Sequence, residues 1–290
     1  MTALALCRFA HFMAAMLTFG TSEYLWLYAP ARLKLALSPV ARRLALIASL
    51  VALITAIAWL SLDSASMADD WSAAYDPGAI YAALTDTAFG HAWVAHLTLA
   101  ATLVAVVVFG PRARWAAIAV ASAALLASLG FVGHAAMQTA AEGVLHRANH
   151  AVHLLGAGAW VGGLFPFAMC LRAYQRDDLR KDAVRATTSF SFWSQFIVAA
   201  IILSGVVDIA LTSGHPPIPP TTPYRALLVA KIIIVAIMIS LALLNRFVLT
   251  PRLNRGATAL AILRGTTAAE VALGCVVVAL VSVFALLDPA

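Results

Sequence analysis

Apolar residues fill the chain in long blocks, and polar positions fall mostly in the gaps between them. A helix that crosses a bilayer needs about 20 consecutive, mostly apolar residues. Eight blocks meet that requirement, at 4–29, 44–62, 90–109, 115–137, 149–171, 190–212, 226–249 and 267–287. The pattern predicts an all-α polytopic membrane bundle of eight transmembrane helices, a single integral-membrane domain over 1–290, with the lipid bilayer as its first partner. The first block has no basic leader, is interrupted by His11 and Glu23, and precedes no small-residue cleavage pattern. It therefore reads as a retained helix rather than a signal peptide.

Composition agrees. Hydrophobic residues make up 63% of the 290 and charged residues 11%, where a soluble domain carries about 25% charged residues. Mean hydropathy is +0.92. The net charge of +6 comes with no Lys/Arg cluster interleaved with aromatics, which argues against nucleic acid as a partner. Cys7, Cys170 and Cys275 form no CxxC pair, so neither a disulfide framework nor a zinc knuckle is indicated.

The gaps fix an orientation. The first carries Arg32, Lys34, Arg42 and Arg43, the third Arg112 and Arg114, the fifth Arg172, Arg176, Arg180, Lys181 and Arg185, and the seventh Arg252, Arg255 and Arg264. The second holds five aspartates and no Lys or Arg. Odd gaps carry two or more basic residues each and even gaps at most one, Arg147 in the fourth and Arg225 in the sixth, which predicts both termini outside, N-out and C-out. All eight histidines then fall on the outer half. His134 and Met137 close the fourth block, His146 lies in the fourth loop, and His150 and His153 open the fifth. His91 and His96 begin the third block, His11 lies in the first, and His215 in the sixth loop.

Residues three and four apart share a helix face. His146, His150 and His153 would form one stripe if their helix begins early, and His134 with Met137 another. His91 and His96, five apart, point about 140° away from each other and are not expected to chelate together. Imidazole suits copper, zinc, iron and nickel, and thioether sulfur favours Cu(I). An outer site drawn from His134, Met137, His150, His153, His146, His91, His96 and His11 leans to copper. Two histidines on facing helices, such as His134 and His153, would equally serve as axial ligands of haem b, so a bis-His electron carrier is the alternative. A protein that holds metal for docking or sensing is a second. No GxSxG, HExxH or P-loop appears, so neither an enzyme nor an ATP-driven pump is expected.

GHAA at 133–136, NHAVHLLGAGAWVGGL at 149–164, Ser189–Phe190, Gly205, TPYRALLVAK at 222–231 and NRFVLTPRL at 245–253 together resemble the copper resistance protein D (CopD) family. The resemblance implies copper passage across the bacterial inner membrane, with a separate periplasmic copper-binding partner of the CopC type. It supports His134 and His153 as site residues, with Asn149 and Trp160 as local structure. The chain departs from the family at Arg225, where Gly is common, and at His96, where Arg is common.

A cation entering the cell falls through the membrane potential, gaining about 2.3 kcal/mol per charge per 100 mV. Import therefore needs no further engine. Met16, Met238 and Cys170 are soft groups deeper along the helices. Asp208 and Lys231 share a depth at which an ion pair would offset burial of either alone. Gly158 and Gly162 have the small-xxx-small spacing that lets helices approach closely. HPPIPPTTP at 215–223 is expected to be a stiff outer loop suited to docking.

Overall fold

The computed structural model describes residues 2–111, 115–132, 140–213, 219–220, 222–255, 257–284 and 286–287. Every regular element among them is helical: α1 (Thr2–Leu27), α2 (Ala31–Ala68), a short α3 (Pro77–Thr85), α4 (Ala88–Phe109), α5 (Trp115–Ser128), α6 (Ala140–Ala157), α7 (Gly163–Ala173), α8 (Arg180–Ser213), α9 (Pro223–Leu244) and α10 (Ala257–Phe284). A π-helical turn, Gly158–Gly162, joins α6 to α7 without a break, and a second, Asn245–Leu249, prolongs α9. Seven runs are long and apolar enough to cross a membrane, and Trp115–Phe131 is a shorter apolar helix. The chain is a multi-pass helical membrane protein.

Several helices run past the apolar blocks. α2 begins at Ala31 rather than 44, α6 at Ala140 rather than 149, α8 at Arg180 rather than 190 and α10 at Ala257 rather than 267. The bilayer limits the apolar stretch, not the helix, so charged turns continue beyond it. Arg32, Lys34, Arg42 and Arg43, expected in a loop, are thus helical, even with Pro39 among them. Their charge has a use there. Lys34 Nζ reaches the Trp26 carbonyl at the end of α1 (3.5 Å), and Arg42 Nη2 the Val107 carbonyl near the end of α4 (3.4 Å). Arg264 Nη2 donates to the Leu171 carbonyl near the end of α7 (2.9 Å). Cations at helix C-termini satisfy orphan carbonyls and the macrodipole together. At the opposite ends, Thr87 accepts from Gly90 N–H at 2.9 Å, and Thr222, followed by Pro223 at the first helical position, accepts from Arg225 N–H at 3.3 Å.

The centre of the bundle is α1 against the π turn. A Cβ on Gly162 would sit 2.0 Å from the Met16 carbonyl oxygen, and one on Gly20 would sit 2.3 Å from the Gly162 carbonyl carbon. Only glycine fits on either side, so the small-residue spacing at Gly158 and Gly162 is spent on backbone contact with α1. α1 also packs on α2, α5, α7 and α10, while α6 packs on α8 and α5. α8 and α9 turn Phe192, Trp193, Phe196, Leu203 and Ile233 outward, an apolar face that lipid satisfies.

Candidate functional site

Because α6 begins at Ala140, His146, His150 and His153 do share one face, and that face meets α8. Ser204 and Asp208, one turn apart on α8, receive it. His150 Nδ1 lies 2.9 Å from Asp208 Oδ2, and His146 Nε2 lies 3.8 Å from Asp208 Oδ1. Asn149 Nδ2 donates to Asp208 Oδ1 (2.6 Å) and to the Ser204 carbonyl (2.8 Å). His153 Nδ1 contacts Ser204 Oγ at 3.0 Å and the Ile201 carbonyl at 3.2 Å. The His150 and His153 rings are nearly parallel, 11° apart with centroids at 6.4 Å. Gly205 leaves room for His153: a Cβ there would stand 3.2 Å from its Cε1.

These partners fix tautomers. The Ile201 carbonyl only accepts, and the Ser204 hydroxyl donates back to the Ala200 carbonyl at 2.6 Å, so His153 must carry its proton on Nδ1. Asp208 imposes the same on His150. Each ring then has Nε2 as its lone-pair nitrogen, the arrangement in which metal-binding histidines are usually held. Asp208 was expected to pair with Lys231. Instead it binds His150 and Asn149, and the Lys231 ammonium lies 5.7 Å from the Phe284 ring centroid. An imidazole and an amide on adjacent residues offer a carboxylate two donors at once, which a single distant ammonium does not.

A second histidine group lies between α1, α2, α4 and α5. His11 and His96 are both fully buried, and their Nε2 atoms face each other at 3.0 Å. His11 Nδ1 contacts the Ala52 carbonyl (3.1 Å) and Thr55 Oγ1 (3.0 Å), and His96 Nδ1 contacts Ser128 Oγ (2.8 Å). Trp93 stacks on His96 with centroids 4.5 Å apart, and Trp59 meets His11 edge-on at 5.7 Å. Neither His11 nor His96 hydrogen-bonds or stacks with a described residue of α6 or α8. One group expected from sequence is therefore two.

His91 joins neither group. It is exposed, and its Nε2 bonds the Thr85 carbonyl at 2.8 Å. His134, Met137 and His215 lie outside the described residues. Among the described residues, no three or more His, Cys, Asp or Glu side chains are disposed to hold one metal ion. The deeper soft groups are in structural use: Met16 lies against Gly158, Met238 against Gly274, and Cys170 Sγ donates to the Ala183 carbonyl at 3.4 Å. The haem reading needs a slot between facing imidazoles. Of the pair named for haem, His134 lies outside the described residues; the pair that does face, His11 and His96, is closed to 3.0 Å and walled by Trp59 and Trp93, which does not fit a macrocycle.

The fold and its imidazoles define a class, polytopic membrane proteins whose buried histidines are held by neutral oxygen partners and one carboxylate. Two family models match the chain, "Copper resistance protein D-like, N-terminal domain" over residues 1–147 and "Copper resistance protein D" over residues 184–284. The chain is 34% identical to the inner membrane protein YebZ of Escherichia coli K12 over 284 residues, 97% of each. It is 33% identical to copper resistance protein D of Pseudomonas syringae pv. tomato over 59% of this chain and 57% of that one. A copper transport protein of Bacillus subtilis 168, CutJ, is 29% identical over 48% of this chain and 26% of its own. No solved structure matches. The chain belongs to the copper resistance protein D family.

Proposed function

We propose that this protein is a copper transporter of the inner membrane, a single eight-span domain with both termini outside. Copper is taken at the periplasmic face by the imidazoles at the outer ends of the bundle, His146, His150 and His153 of α6, with His134 and Met137 of the preceding segment, and passes toward the cytoplasm. The observation that carries this reading is the α6 stripe held by α8, in which Asp208, Ser204 and the Ile201 carbonyl commit the Nδ1 atoms of His150 and His153 and leave their Nε2 atoms as donors to metal. Family membership supports copper as the cargo, and the names of its relatives support transport and resistance as the setting. The membrane potential drives inward passage without a fuel-binding domain. A periplasmic protein of the CopC type is the expected donor.

Reconstitution tests it. Vesicles carrying the purified protein should accumulate copper faster under an inside-negative potential than at zero potential, and His150→Ala with His153→Ala should abolish the difference. Accumulation equal to that of protein-free vesicles would overturn transport. Accumulation untouched by the double variant would overturn the site.

A further inference from the structure

We propose that His11 and His96 form a second, separate station, a buried two-coordinate site that takes copper only as Cu(I). The copper-transport reading supplies the identity of the metal; the geometry stands apart from it. The Ala52 carbonyl only accepts, and Thr55 Oγ1 donates back to the Val51 carbonyl at 2.6 Å, so His11 is protonated at Nδ1 and its Nε2 carries a lone pair. Ser128 Oγ lies 2.7 Å from the Leu125 carbonyl as well as 2.8 Å from His96 Nδ1. Hydroxyls in helices commonly donate back to such carbonyls. When Ser128 does so it accepts from His96 Nδ1–H, and two bare nitrogens oppose each other at 3.0 Å. That arrangement requires a cation between them. When Ser128 turns its hydrogen toward His96, the proton of His96 sits on Nε2 and bridges to His11. Loading then exchanges the proton on His96 Nε2 for the metal while His96 takes one up at Nδ1, as Ser128 turns its hydrogen back to the Leu125 carbonyl, so the proton count of the site is unchanged.

The surroundings select the ion. No carboxylate or thiolate completes a cluster of three among the described residues, whereas zinc takes four ligands as a rule. Cu(I) has a filled d shell, carries one charge and accepts two collinear donors. Imidazole–metal bonds of about 2.0 Å require the nitrogens to part by about 1 Å, which small rotations of the two rings supply. Trp93, stacked on His96, offers a π face to a single positive charge. A divalent ion there would be buried with no counter-charge, at far greater cost. One turn outward on α1, Cys7 Sγ donates to the Thr55 carbonyl at 3.2 Å, so a soft sulfur and His11 touch the same residue of α2. The station takes copper that reaches it already as Cu(I).

The test uses the full chain in mild detergent, under anaerobic reductant, with Cu(I) titrated against a colorimetric cuprous chelator. The His150→Ala/His153→Ala variant should keep one Cu(I), and X-ray absorption should report two nitrogen neighbours in linear array. Adding His96→Gln should weaken that ion at least a hundredfold, and Ser128→Ala, which leaves both rings, should weaken it about tenfold. Zn(II) should not compete. Sulfur neighbours at the retained copper, or an affinity unchanged by His96→Gln and by Ser128→Ala, would overturn the proposal. Should His96→Gln not fold, Ser128→Ala alone decides. Vesicles that fail to accumulate copper while the cuprous ion persists would remove transport and leave this station standing; normal accumulation with no such ion would do the reverse.

Discussion

The α6–α8 group and the α1–α4 group hold imidazoles by the same device and put them in opposite surroundings. In both, a serine one turn from its own carbonyl partner contacts an Nδ1: Ser204 accepts from His153, and Ser128 pairs with His96 in either sense according to its tautomer. The first group adds a carboxylate and keeps His150 one-third exposed. The second adds tryptophans, has no carboxylate bonded to either ring among the described residues, and is fully buried. A site meant to exchange with solvent benefits from charge and access. A site meant to discriminate between oxidation states benefits from dryness and few ligands.

The comparison breaks most completely where both groups depend on one contact. Gly162→Ala drives a Cβ into the Met16 carbonyl, 2.0 Å away, and separates α1, which carries His11, from the helix that carries His153. Thermal unfolding in detergent should show a loss of about 3 kcal/mol, the upper end of overpacking costs, with copper binding lost at both groups. Gly265→Ala, where nothing stands within 4 Å, should leave stability unchanged or raise it by up to about 1 kcal/mol.

Smaller changes should divide the two regions. Asp208→Ala removes the acceptor of His150 and Asn149 and should lower copper affinity at the outer group by about 10- to 100-fold, read by chelator competition, without moving the cuprous ion between His11 and His96. Trp93→Leu should act the other way. Loss of the ring stacked on His96 should weaken only the buried Cu(I), by about 1 kcal/mol or roughly fivefold. Ser204→Ala leaves His153 bonded to the Ile201 carbonyl alone and should cost about 1 kcal/mol at the outer group, visible as a modest rise in the copper concentration for half-maximal uptake.

The sequence made the spans legible because a bilayer imposes a hydrophobic length that few soluble helices imitate, and the seven long runs follow from it. It marked the α6 stripe through the i, i+4, i+7 spacing of His146, His150 and His153. Helix ends were less legible, since α2 and α8 continue through charged turns that no apolar count can follow. Pairings between helices far apart in the chain were hidden. His11 meets His96 across 85 positions and His150 meets Asp208 across 58, and periodicity within one helix says nothing about which helix lies opposite. One signal did exist. Asp208 is a lone acid in an apolar run with Ser204 one turn before it, whereas Trp59 and Trp93 lie near the ends of their apolar blocks and read as interfacial anchors.

The π turn between α6 and α7 works as a phase shifter. One residue more than an α-helix needs is accommodated within Gly158–Gly162, and each residue of a helix advances its faces by about 100°. Upstream of the turn the histidines look toward α8; within it the glycines lie against α1. Five residues of π-helix turn about as far as four of α-helix, so rewinding Gly158–Gly162 as ordinary α-helix with all five residues kept would swing the histidines roughly a quarter-turn away from Asp208 and Ser204, with every side chain of the site still present and none of them facing its partner. The metal-handling face and the packing face of one continuous rod can thus be set independently, by a single extra residue.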